Sequence, residues 1–364
     1  MKTRICLWSM LVLTMSLINF TTSQAANHSF QWETQDWGKL GIVHLQNAPF
    51  PDESRMNGYT RDSVTYPYEG HYDDNAVAVV IPPGFKPSSK INFVVIFHGH
   101  VGTADKFITS FSIGSVYNLC DPNAILVVPQ GPKLVPDSGG GKMEKPEGFA
   151  NMMKELLAAL KEDGKVPASA NFGNLIVGAY SGGFRPLGFS IHHGGMAPYI
   201  KEVWLFDAAY GFQDYLSEPF ATPGTKNVLR ALFTDHQAHE NYRIMSNIGK
   251  SGNKLVFVVD EDLSRTTTTK EDYNACSVHT EGSYPGDDEL LRVCKQNSLV
   301  YIHTALPHDG LAFTKRFLAD FIMTSPWLKK NTPPKTAAED KASTGKGNIS
   351  VGGSVTVTGE WKKK

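Results

Sequence analysis

Short apolar runs recur along the middle of the chain, separated by stretches with a helical rhythm. Ala76–Ile81, Phe93–Phe97, Ile125–Val128, Leu175–Gly178, Val203–Phe206, Val228–Phe233, Leu255–Val259 and Leu299–Ile302 are each four to six residues long. Several are apolar throughout, which suits strands covered on both faces rather than one. Between them, Phe149, Met152, Met153, Leu156, Leu157 and Leu160 recur at spacings of three and four, one apolar stripe of a helix. A further helix is expected from near Leu311, carrying Phe317, Leu318 and Phe321. Strands alternating with helices over short connections predict an α/β domain: a mostly parallel central sheet with helices on both faces.

The two ends break this pattern. Lys2 and Arg4 precede an apolar run from Ile5 to Phe20, and Ser23-Gln24-Ala25 offers small residues at the −3 and −1 positions of a cleavage site. Residues 1–25 therefore read as a signal peptide, and the chain as exported to the periplasm or the extracellular space. The run is short for a membrane span, so no stable span is expected in the mature chain. Residues 27–70 mix aromatic and polar groups and predict one or two leading strands plus an ordered wrap. Residues 331–364 hold Pro-Pro, small polar residues and six lysines, and predict a flexible, solvated Lys-rich tail. The domain proper is taken as 26–330.

Composition narrows the function classes. The 364 residues are 41% hydrophobic and 20% charged, enough for a large buried core. The formal net charge of −1 gives no overall field toward nucleic acid or an anionic membrane. An oxidising destination permits disulfides. Cys276 and Cys294 flank a Gly- and Pro-bearing stretch and are the natural pair, which leaves Cys120 as a buried free thiol. No CxxC occurs, so a zinc ribbon or thioredoxin-type site has no support. His236, His239 and Glu240 match neither HExxH nor HxxEH, and no metal is expected there.

The chemistry concentrates at Leu175-Ile-Val-Gly-Ala-Tyr-Ser-Gly-Gly-Phe184, where a buried strand runs into Ser181-Gly182-Gly183 and then a helical segment. This is the layout of a nucleophile elbow, which needs small residues two before and two after the serine. Ala179 and Gly183 meet that need, with alanine standing where glycine is usual. Upstream, a strand ends in His98-Gly99-His100. The His98 ring is expected to prop this turn. Downstream, His308 follows the last strand and precedes the last helix, while His303 lies within the strand and reads as packed. His192 and His193 sit on the helix after the elbow. Three carboxylates end successive strands: Asp207, Asp235 and Asp260.

Residues 50–325 resemble the α/β-hydrolase superfamily. More narrowly they resemble exported bacterial hydrolase-like proteins, through His71-Tyr72-x-Asp74, Phe97-His-Gly-His100, Val127-Val-Pro-Gln-Gly131, Asp137-Ser-Gly-Gly-Gly-Lys142, Tyr180-Ser-Gly-Gly183 and Leu205-Phe-Asp-Ala-Ala-Tyr-Gly211. The resemblance implies a Ser-His-acid triad with Ser181 as nucleophile and His308 as base, and an oxyanion site made by the amides of His100 and Gly182. For the acid, the commoner layout favours Asp235, after the second strand past the nucleophile. Asp207, after the first, matches an established variant similar to that of pancreatic-type lipases, and the Phe-Asp-Ala-x-Tyr-Gly motif adds to it. Asp207 is preferred, with Asp235 and Asp260 kept open.

The function expected is an exported serine hydrolase acting on a small-molecule or polymer ester through an acyl-enzyme, without cofactor. Two alternatives remain. An amidase or peptidase would use the same triad, and a catalytically silent polysaccharide- or cell-wall-binding protein would use the same scaffold.

Overall fold

In a computed structural model, residues 28–260, 289–309, 311 and 317–331 are described. Each of the eight apolar runs is a strand: β5 (Ala76–Val80), β6 (Lys90–Phe97), β7 (Ile125–Pro129), β8 (Asn171–Tyr180), β9 (Ile200–Phe206), β10 (Val228–Phe233), β11 (Val256–Val259) and β12 (Leu299–His303). They join β1 (Gln31–Gln35) and β2 (Gly38–His44) in one ten-stranded sheet of order β1-β2-β5-β7-β6-β8-β9-β10-β12-β11. From β7 to β11 every pairing is parallel, and β1, β2 and β5 pair antiparallel at one edge. An antiparallel strand leading into a parallel run in which β7 and β6 are exchanged is the α/β-hydrolase arrangement.

Helices cover both faces. On one side lie α3 (Gly148–Glu162), α4 (Phe184–His192), α5 (Gln213–Ser217) and α6 (Ala238–Lys250). On the other lie α1 (Ala104–Ser110), α2 (Ile113–Cys120) and the helices Glu289–Gln296 and Phe317–Thr324. The predicted stripe of α3 is buried at every position, from Phe149 to Leu160. Truncating one of its leucines to alanine would cost about 2–5 kcal/mol. The helix ends at Glu162, capped by Asp163; the next residue, Gly164, has a left-handed φ of +68°, and Lys165 N–H then donates to Leu160 O at 2.9 Å.

The leading segment holds more strand than its composition suggested. Besides β1 and β2, a separate hairpin pairs β3 (Tyr59–Arg61) with β4 (Val64–Tyr66). Its two-residue turn, Asp62-Ser63, has φ of +51° and +65°, the type I′ form whose twist matches a hairpin. Three residues per strand are too few for alternation to show in the sequence.

Cys276 lies outside the described residues, and the expected Cys276–Cys294 pairing lies there with it. Residues 1–25 and the tail from 332 onward also lie outside them. Among the described residues no helix is long and apolar enough to cross a membrane.

Candidate active site

Ser181 sits where β8 turns into α4. Its φ of +51° is unusual for a residue with a side chain, and Ser181–Gly183 form a single 3-10 turn before the helix begins. The sharp turn brings the start of α4 against the end of β6. A Cβ on Gly183 would collide with the Phe97 carbonyl oxygen and stand 2.9 Å from that of His98. A Cβ on Gly99 would stand 2.9 Å from Ser181 Cβ. Gly183 is therefore demanded by close backbone approach and Gly99 by the Ser181 and Tyr180 side chains, while the Ala179 methyl group is buried in the core.

His308 faces the serine from the loop after β12. Its Nε2 lies 2.7 Å from Ser181 Oγ and its Nδ1 lies 2.6 Å from Asp207 Oδ2. A carboxylate only accepts, so Nδ1 carries the proton and Nε2 of the neutral ring accepts from the serine hydroxyl. Asp207 is fully buried at the tip of β9, with a left-handed φ of +49°. Its other oxygen accepts from the Thr234 amide at 2.9 Å, and the Thr234 hydroxyl donates to Oδ2 at 3.0 Å. The charge is thus hydrogen-bonded on every side, as a buried carboxylate requires. The Tyr180 ring stacks on the imidazole at 5.3 Å, and its hydroxyl donates to His308 O at 3.0 Å.

The competing carboxylates have other partners. Asp235 stands 2.6 Å from His303 Nε2, at an exposed rim position. Asp260 is buried and accepts from the Thr304 hydroxyl at 3.1 Å. His303 is packed as expected, stacked on Phe233 at 5.1 Å, but it also makes this unforeseen hydrogen bond. His192 pairs with Glu218 and His193 bonds the Glu144 carbonyl. Among the described residues no group of three His, Cys, Asp or Glu side chains converges as a metal site would need.

The turn after β6 is held from beneath. His98 Nε2 accepts from the Gly131 amide at 2.9 Å, so Nδ1 bears the proton and donates to Gly99 O at 2.8 Å. Burial pushes the His98 imidazole below its usual range and keeps it neutral. The Val101 amide is committed to Val135 O, whereas the His100 amide has no partner among the described residues. The His100 ring lies over Gly182 and bonds Ser138 Oγ at 2.7 Å. The crevice on this side of Ser181, between Gly99, Ser138, Gly139 and Gly182, holds only about 10 Å³, scarcely one water.

Three features escaped the sequence reading. Tyr210 stands edge-on to His308 at 6.1 Å and 89°, close to Ser181, and its phenol is pushed up to about 12 by burial and by Asp207. It belongs to the Asp-Ala-Ala-Tyr motif already singled out, which is the one signal that marked it. Thr234, which clamps Asp207, had none. Beside the His100 turn, Arg55 forms a fork on Asp137 at 2.7 and 3.0 Å, joined by the Tyr72 hydroxyl at 3.1 Å. Asp137 and Tyr72 lay within quoted motifs, but nothing in the sequence tied them to Arg55.

No protein-family model matches this sequence, and no curated protein does. Solved structures do. A feruloyl esterase module from Clostridium thermocellum is similar at 9% identity and a TM-score of 0.39, over 82% of this chain and 86% of its own. An S-formylglutathione hydrolase from Agrobacterium tumefaciens is similar at 13% identity and a TM-score of 0.37, over 81% of this chain and 95% of its own. An acetyl xylan esterase from Aspergillus awamori reaches 12% identity and a TM-score of 0.31, over 54% of this chain and 80% of its own. The α/β-hydrolase fold of this chain rests on its own strand order and on the turn that carries Ser181.

Proposed function

We propose that this chain is a serine hydrolase that cleaves carboxylic esters through an acyl-enzyme. One observation carries the reading: Asp207, His308 and Ser181 lie in a continuous hydrogen-bonded line at 2.6 and 2.7 Å, with the serine on a strained turn. In this scheme His308 Nε2 takes the serine proton as Oγ attacks the ester carbonyl carbon. Negative charge then gathers on the carbonyl oxygen, where the amides of His100 and Gly182 would donate to it. Collapse breaks the bond to the alcohol, which leaves with the proton from His308. A water then gives a proton to His308 and attacks the acyl carbon. Collapse breaks the bond to Ser181 Oγ, which takes the proton back from His308, and the carboxylic acid leaves. Asp207 holds the imidazole in the required tautomer and stabilises its charged form. No step calls on a metal or an organic cofactor.

Labelling with a fluorophosphonate probe tests this directly. Covalent modification at Ser181, lost in Ser181→Ala, together with turnover of a p-nitrophenyl ester series, supports an esterase. Modification with turnover only of amides would move the activity to amidase or peptidase. A folded protein that neither labels nor turns over would leave a silent scaffold. Export belongs to the same reading, and a secreted protein whose first residue lies near Ala26 supports it.

A further inference from the structure

We propose that the groove at the amino-terminal ends of β6, β8 and β9, at the opposite end of the sheet from Ser181, is a docking site for an acidic polysaccharide such as a uronate polymer. The groove has a volume of about 650 Å³, within the range of sites that hold small ligands or a short stretch of a polymer. Its chemistry is one-sided. Lys90, Lys201 and Lys329 line it and no Asp or Glu does. Among the described residues the Lys90 and Lys329 ammonium groups have no ion-pair or hydrogen-bond partner, and Lys201 Nζ meets only the Pro198 carbonyl, at 2.8 Å.

The neutral side chains add donors of the same sense. Asn92 Oδ1 accepts from the Asn174 amide at 2.8 Å, and Asn123 Oδ1 accepts from the Lys86 amide at 2.9 Å. Each asparagine oxygen takes a backbone bond, and neither NH₂ group has a partner among the described residues, so both remain available as donors. A wall of ammonium and amide donors without a carboxylate selects an anion bearing several oxygens. Half-buried Tyr199 and Trp327 line the same groove over buried Phe172, and rings of this kind match the C–H faces of a sugar. Carboxylate plus sugar ring is a uronate.

A single-stranded nucleic acid would also offer anions and planar rings. It would need a cationic track with successive rings for its stacked bases, whereas three lysines and two half-buried rings line this groove, on a chain whose overall charge is −1. That balance does not oppose a local site, because screening confines such interactions to about 10 Å. From Phe172 in the groove to Ser181 the chain runs the length of β8, about 30 Å at 3.3 Å per residue. A polymer held here leaves the triad open and raises the local concentration of any ester it carries.

Affinity electrophoresis in gels containing polygalacturonate, with neutral dextran as control, tests the site. The protein should be retarded by polygalacturonate and not by dextran. Lys90→Glu/Lys201→Glu/Lys329→Glu should bind on the order of tenfold more weakly or less, with unchanged melting and unchanged hydrolysis of a small soluble ester. Should the triple variant fail to fold, Lys90→Ala/Lys329→Ala, which alters only exposed side chains, should still lose most of the retardation. Ser181→Ala should be retarded like the parent, which separates docking from catalysis. The proposal is overturned by no retardation, by equal retardation in dextran, or by retardation that survives the lysine changes, which would place binding on charge elsewhere. Displacement by an oligonucleotide at concentrations as low as those of the uronate polymer would overturn it too.

Discussion

Asp207 Oδ2 stands 2.6 Å from His308 Nδ1 although the two residues are 101 positions apart in the chain. Asp235, the acid of the commoner layout, stands at the same distance from a different histidine, His303. Among the described residues two Asp–His pairs thus lie along one edge of the sheet, and only the first is continued by a serine.

That contrast gives a sharp expectation. Asp207→Asn should lower kcat by about 10⁴, because the amide cannot hold the Nδ1–H tautomer. Asparagine tolerates the left-handed φ of this position, so melting should barely change. Asp235→Asn and Asp260→Asn should stay within about threefold of the parent. A large loss in Asp235→Asn with an active Asp207→Asn would assign the acid to Asp235. Steady-state kinetics on a p-nitrophenyl ester reads all three.

Thr234 clamps the same carboxylate twice, through its amide and its hydroxyl. Thr234→Val keeps the shape and the amide but removes the hydroxyl. One neutral hydrogen bond to a buried charge is worth about 1.5 kcal/mol or more, so kcat should fall roughly tenfold with KM little changed. Equal loss in kcat and gain in KM would mean that Thr234 shapes the substrate site instead.

The elbow makes a prediction about stability. Gly183→Ala drives a methyl group into the Phe97 carbonyl and should cost about 1–3 kcal/mol, with activity lost as Ser181 shifts. Gly249→Ala, on α6, meets nothing within 4 Å and should stabilise by about 0.5 kcal/mol. Thermal melts of the two variants should move in opposite directions.

Acid should loosen the Arg55–Asp137 fork beside the His100 turn. Burial pushes the Asp137 carboxyl up, but the bonds and charge of Arg55, the Gly139 amide and the Tyr72 hydroxyl outweigh it and hold it below the usual carboxylate range. A carboxyl depressed on folding contributes stability above its unfolded value, near pH 4, and that contribution fades as pH falls below it. Asp137→Asn should cost about 3 kcal/mol at neutral pH and show a flatter loss of stability between pH 5 and pH 2. Parallel acid limbs in parent and variant, measured by denaturant unfolding, would remove Asp137 from the acid response.

What the sequence determined alone was local. Continuous apolar runs such as Ile125–Val128, short and alternating with helical patterns, suit strands buried on both faces, and the three-four spacing from Phe149 to Leu160 is one helical stripe. The elbow was equally legible, because small residues at 179 and 183 around Ser181 make a recognisable local pattern, although the contacts that require Gly183 come from Phe97 and His98 on another strand. The β3–β4 hairpin was not, since three-residue strands carry too little periodicity. The sequence favours Asp207 over Asp235 and Asp260 only through the resemblance carried by Phe-Asp-Ala-x-Tyr-Gly; the strand ends themselves do not rank the three. Each ends an apolar strand and is chemically equivalent there. Which one meets His308 depends on how the loop after β12 crosses the sheet edge, and on Thr234 reaching back from the end of β10. Those are contacts between residues 27 to 127 positions apart, set by strand order and loop path, and no local pattern encodes them.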